Sequence, residues 1–184
     1  HLWLPVRHTV HEFSVGAPLD LAASELQGYA PALAVGGLLF FAALGFGLVH
    51  FLDPSQKGAI LLAGVAAVAT LQLAIEAVRA FVPYPYPWQL GRVAAIAVLA
   101  AVTAVLMARY AAWRFAPGRR DLATVATAVV AVAVLLLSPG FDAKALGCLI
   151  VGIVAVAVLA GMGLRAGAPS AAMTLAVALG ALAA

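Results

Sequence analysis

The chain has 184 residues, of which 66% are apolar and only 9% charged, against about 25% charged in a soluble domain. An ordinary soluble fold is excluded, because burying so much apolar surface in one small globule would leave almost no polar exterior, whereas a bilayer supplies an apolar one. The net charge of +3 comes from ten Lys and Arg against seven Asp and Glu, and their placement, taken up below, points to a membrane surface and not to nucleic acid.

The first 29 residues mix Glu12, Asp20 and Glu25 with Leu2, Trp3, Phe13, Leu19 and Leu26. These charges are too many for a span, and the mixture predicts an amphipathic segment lying on the outer surface, separate from a transmembrane bundle over 30–184. "APLDLAASELQGYAP" predicts a helix opening after Pro18 and stopping at Gly28. No apolar run here has the form of a signal peptide, so any targeting segment is expected upstream. Within it His8 and His11 share one helix face, with Glu12 one turn from His8. Two imidazoles and a carboxylate are the start of a metal site or of a pH-responsive pair. The plainer alternative is a solvated surface segment. A self-contained zinc site would want about four ligands, and His50 is expected at the opposite side of the bilayer. The spacing is also not that of H-E-x-x-H.

A ruler of about 20 apolar residues per span predicts membrane helices near 31–52, 57–82, 91–113, 122–138, 144–164 and 171–184. Helix is the only choice, since a barrel would need alternating polar and apolar positions. The links "DPSQ", "PYPYPWQL", "APGRRD", "PGFDA" and "RAGAPS" are short and carry Pro or Gly, so consecutive spans run antiparallel. The expected fold is an all-α, polytopic transmembrane bundle of six short-looped spans. Its many small residues favour close helix packing. The sixth run reaches Ala184 without a charged or aromatic anchor, which predicts a continuation into a seventh span. Cys148 stands alone in an apolar run and reads as a small core residue.

"ARYAAWRFAPGRRD" concentrates Arg109, Arg114, Arg119 and Arg120 in and beside one link. The basic bias places that link in the cytoplasm, facing anionic lipid, and the N-terminal segment and "VPYPYPWQL" outside. An inner-membrane protein with its N-terminus outside follows.

"LQLAIEAVRAF" is the most polar stretch within a span: Gln72, Glu76 and Arg79 fall on one helix face. Charges at membrane depth turn inward and pair, and Glu76 with Arg79 is the natural pair. One reading is a neutralised pair that fixes helix register. The other is an outward-opening ligand pocket floored by Gln72 and Glu76, with Arg92 as a positive contact for an anion. Tyr84, Tyr86 and Trp88 alternate with prolines, either as an interfacial belt or as a stiff lid over that pocket. No phosphate loop, catalytic triad, dinucleotide fingerprint or mid-span histidine pair is present in the sequence. No catalysis and no cofactor are therefore expected of these residues.

"GGLLFFAALGFGLVHFLDPSQKGAILLAGVAAVATLQLAIEAVRAF" and the "YPYPW" link, in a chain of outer segment followed by short-looped spans, resemble bacterial seven-transmembrane receptors with diverse intracellular signalling modules. The likeness covers residues 30–184. It implies an outer sensory portion, seven spans and a following cytoplasmic histidine kinase or diguanylate cyclase. Six spans instead of seven, and no output module, are the departures. The expected function is a non-catalytic, membrane-embedded sensory and signal-transducing domain. The alternative is a structural or assembly subunit of a larger membrane complex; a small transporter or channel would need more polar residues along the spans. The expected partners are the lipid bilayer and a second copy or larger membrane complex.

Overall fold

The computed structural model describes residues 18–81 and 86–183; the side chains of residues 18–27, 79–81, 86, 87 and 169 lie outside that description. Six α-helices account for nearly all of it: α1 Pro18–Leu52, α2 Lys57–Phe81, α3 Tyr86–Phe115, α4 Arg120–Leu137, α5 Phe141–Arg165 and α6 Pro169–Ala183, with a short 3-10 turn at Pro117–Arg119. Among the described residues there is no strand. Five stretches, Gly28–Leu52, Lys57–Val78, Trp88–Phe115, Pro117–Leu137 and Phe141–Arg165, are long and apolar enough to cross a bilayer. The protein is an integral membrane protein. The sixth expected span is a shorter apolar helix of 15 residues, below the length that the ruler asks for.

The side chains are sorted opposite to those of a soluble protein. Leu38, Phe41, Phe51, Leu136, Leu137 and Met173 are all more than two-thirds exposed, while the buried residues are mostly alanine, with glycine and threonine among the rest. Large apolar side chains turned outward are what lipid tails solvate. Small ones turned inward let backbones approach, which matters where no hydrophobic difference separates helix from lipid.

On α3 the buried positions Ala97, Ala101, Ala104, Ala108, Ala111 and Phe115 recur in steps of four and three, a continuous inward stripe along one helix face. This stripe makes α3 the centre of the fold: it packs on α2, α4 and α5, whereas α1 packs mainly on α2 and α6 on α5. Along α2 and α3 the contacts run in opposite order, Gly58 on Trp113, Gly64 on Leu106 and Glu76 on Arg92, so the two are antiparallel. Between α3 and α5 they run in the same order, Gly152 on Ala104 and Gly163 on Phe115. That parallel pairing joins helices that are not consecutive, and short links alone do not reveal it.

Three boundaries differ from expectation for identifiable reasons. The helix opened at Pro18 does not stop at Gly28 but continues through Pro31 into the first span, so residues 18–29 are continuous with α1. At 35 residues, α1 is about 52 Å long and exceeds the bilayer core, so the hydrogen bond that Pro31 cannot donate is lost near the water interface, where solvent can serve the freed carbonyl. Helix α3 begins at Tyr86 and not near Gly91, with Pro87 in the first turn, where a missing N–H costs nothing. Helix α5 ends in a Schellman cap: Gly167 has φ +82°, Ala168 N–H donates to Gly163 O at 2.9 Å and Gly167 N–H to Leu164 O at 3.0 Å. This tight stop folds α6 straight back onto α5.

The α1–α2 connection carries its own polar device. Asp53 accepts from Ser55 N–H at 3.0 Å and from Ser55 Oγ at 2.6 Å, and these bonds hold its carboxyl below the ordinary range. Because the folded value is depressed, the stabilisation is present above the unfolded pKa and is lost as pH falls through the folded one. Ser55→Ala is expected to move the Asp53 titration upward toward the ordinary carboxyl value, as read by the pH dependence of its side-chain carbon resonance. An unmoved midpoint would show that the Ser55 hydroxyl does not hold the carboxylate.

Candidate functional site

The charged residues of the described structure gather at the two ends of the bundle. At one end, α2 closes and α3 opens. Glu76 lies about 28 Å along α2 from Lys57 at 1.5 Å per residue, close to a full bilayer core away. Because α3 runs antiparallel, Arg92, in its second turn, comes level with Glu76. Arg92 Nη1 donates to Glu76 Oε2 at 2.7 Å and to the Glu76 carbonyl at 3.4 Å, and its Nε donates to Gln89 Oε1 at 3.3 Å. One guanidinium thus ties a side chain and a backbone carbonyl of α2 to α3. The Arg92 side chain is only 9% exposed, whereas that of Glu76 is 48% exposed. The cation is the buried member and the anion the accessible one.

This differs from the pair expected within α2. The ion pair described at Glu76 crosses the helix interface to Arg92; the side chain of Arg79 lies outside the described residues. A guanidinium already holding Glu76 and Gln89 is also not an open positive contact, so an anionic ligand at Arg92 would compete with a built ion pair. Gln72 is half-buried one turn below Glu76. Trp88 is 71% exposed at the start of the α3 span, where an interfacial aromatic sits. Tyr86 stands in the first turn of α3, but its side chain is not described, and Tyr84 lies outside the described residues. So do His8, His11 and Glu12.

At the other end, the link expected to be polybasic folds as the 3-10 turn between α3 and α4. Asp121 there receives Arg109 Nη1 at 3.7 Å and Arg120 Nε at 3.4 Å. Both contacts are long and exposed, the kind worth little in water. Arg114 and Arg119 have no carboxylate partner among the described residues. Arg114 Nη2 reaches Ser170 Oγ, at the start of α6, at 3.5 Å. The four arginines named from sequence therefore divide into two that share Asp121 and two without an acid.

Sequence reasoning missed Gln89, Ser170 and the role of Lys144. Gln89 and Arg92 stand three apart on α3, a spacing readable once the helix is started at Tyr86. Lys144 Nζ donates to the Leu135 carbonyl at 2.7 Å and lies 5.4 Å from the centre of the Phe141 ring, so it serves a last-turn carbonyl of α4 across the "PGFDA" link. Only tertiary packing brings Ser170 to Arg114, and no local signal marks it. No protein-family model, curated protein or solved structure matches the chain.

Proposed function

We propose that the chain is a non-catalytic, membrane-embedded sensory and signal-transducing domain of a bacterial inner-membrane protein, with the α2–α3 end outside and the basic end in the cytoplasm. The observation that carries this reading is the Glu76–Arg92 pair. It fastens α2 to α3 at the end where the anion is accessible, and α3, at 30 residues and about 45 Å, runs from that fastening to the arginine-rich end. A ligand or neighbouring protein that competes for either charge would bias two packings of α2 on α3, and the shift would be read at the basic end. The resemblance to seven-transmembrane receptors is in keeping with this reading, and the basic bias supports the orientation.

A specific observation favours the second reading, an assembly subunit. On α1 Gly45 is exposed, with nothing within 4 Å of where a Cβ would stand, room for another helix to approach.

The two readings part in one experiment. Ser55→Cys places an accessible thiol at the basic end, against a background in which Cys148 is wholly buried. Its labelling rate by a membrane-impermeant maleimide is compared between the parent, Glu76→Gln, Arg92→Gln and the charge exchange Glu76→Arg with Arg92→Glu. Signal transmission predicts that each single change alters the rate and the exchange restores it. If all four label alike, the pair is a local fastener and the assembly reading stands.

A further inference from the structure

Of the four arginines in and beside the α3–α4 link, the two without an acidic partner among the described residues differ from the two with one in a second respect: each lines an apolar groove on a flank of α5. Arg114 stands at the mouth of a cavity of about 510 Å³ between α3, α5 and α6, a size typical of sites for small organic molecules. Arg119 stands at the mouth of a smaller one, about 250 Å³, between α4 and α5. Arg109 and Arg120, which share Asp121, line neither.

The larger groove is graded along its length. Arg114, Tyr110 and Ser170 lie at the basic end, and Met107, Ile153 and Val177 among the residues below them. It exists because α3 and α6 both pack on α5 while the Schellman turn at Gly167 sets α6 beside α5 without closing it onto α3. From Ser170 to Ala181, both of which line it, α6 rises about 16 Å at 1.5 Å per residue, close to half of the roughly 30 Å hydrocarbon core. Along that rise the groove has a largely apolar lining, with a cation, a phenol and a hydroxyl at its basic end.

We propose that this groove is a specific site for an anionic phospholipid of the leaflet at the basic end, with an acyl chain between α3 and α6 and the phosphate on Arg114 and Ser170. Charge complementarity selects the occupant. A guanidinium with only a 3.5 Å contact to Ser170 Oγ retains donors for phosphate oxygens and presents them as a planar fork. A purely apolar occupant, such as a transmembrane helix, would leave that fork unused. A free phosphate would leave the apolar lining without an occupant. The site is independent of the sensory reading above.

The test uses the purified full chain, exchanged into phosphatidylcholine nanodiscs containing a minor fraction of phosphatidylglycerol, with bound lipid counted by native mass spectrometry. Phosphatidylglycerol is expected to be retained in preference to phosphatidylcholine. Arg114→Gln is expected to reduce that retention about fivefold, the effect of one basic residue at a membrane surface, whereas Arg109→Gln, at an arginine already paired with Asp121, leaves it nearly unchanged. Val177→Trp, at a position 65% exposed and lining the groove, is expected to abolish retention without disturbing the core. Ser170→Ala, which removes only a hydroxyl, reports on the same site if the tryptophan variant fails to fold. Equal losses for Arg114→Gln and Arg109→Gln would show diffuse charge attraction and overturn the proposal. Competition by millimolar inorganic phosphate would show an anion site without a lipid chain. A dimer in detergent that Val177→Trp dissociates, with no selective lipid, would make the groove an interface between copies.

Discussion

Gly152→Ala is expected to destabilise the bundle, whereas Gly161→Ala, nine positions further along the same helix, is expected to be neutral or stabilising. A Cβ on Gly152 would stand 2.8 Å from Ala104 Cα and 3.0 Å from its Cβ, while one on Gly161 meets nothing within 4 Å. The first obstacle is backbone, which cannot rotate away, so α3 and α5 must separate along the alanine stripe. Overpacking of this kind costs about 1–3 kcal/mol, and the helix-propensity gain of up to about 1 kcal/mol for replacing glycine offsets only part of it. At Gly161 the gain stands alone. Thermal unfolding in detergent measures both. If the two variants shift the midpoint equally, the close parallel contact between α3 and α5 is not what holds the centre of the fold. Gly152→Leu enlarges the difference and is expected to prevent folding.

That contact also marks the limit of what the sequence discloses. Composition and the length ruler suffice for a membrane bundle and for the helix cores, since the bilayer constrains each span separately. The preponderance of alanine and valine correctly predicts close packing. Which small residues meet is another matter. Gly152 and Ala104 lie on non-consecutive helices, and connection length constrains only consecutive neighbours. The buried stripe on α3 carries a step of four and three in the sequence itself, but valines and leucines on the outer faces mask it, because in lipid both faces are apolar and hydropathy no longer distinguishes inside from outside.

The ends of the helices show a different limit. Gly28 and Pro31 read locally as a stop, yet α1 passes through both, because a long helix emerging into water can tolerate one missing hydrogen bond there. Conversely, "YPYPW" reads as a link, yet Tyr86 onward is helix, because proline in a first turn is compatible with helix. The same error hid the polar site. With α3 expected from Gly91, Gln89 falls in a loop, Arg92 is the edge of a span, and the nearest cation to Glu76 in sequence is Arg79. Register between antiparallel helices, which places residue 92 level with residue 76, is a tertiary quantity.

The asymmetry of that pair supplies its sharpest test. Removing the accessible Glu76 carboxylate leaves a guanidinium that is 9% exposed without its counter-ion, whereas removing Arg92 leaves a carboxylate that is 48% exposed and able to find water. The penalty of a broken ion pair lies in the buried charge left behind. Glu76→Leu is therefore expected to cost more than Arg92→Met: about 2 kcal/mol against about 1 kcal/mol, both below the 3–5 kcal/mol of a fully buried pair because one partner is wet. Methionine keeps much of the arginine stem's packing but also gives up the bonds to the Glu76 carbonyl and Gln89, so the charge term is isolated by the cycle and not by either single cost. The double variant, with no charge stranded, is expected to lie within about 1 kcal/mol of the parent. A double-mutant cycle by equilibrium unfolding in detergent measures the coupling, and the same cycle on Glu76 and Arg79 decides between pairing across the interface and pairing along α2. Additive costs for Glu76→Leu and Arg92→Met would mean that the pair does not join the helices. The same result would remove the fastening on which the proposed transmission from this end to the arginine-rich end rests.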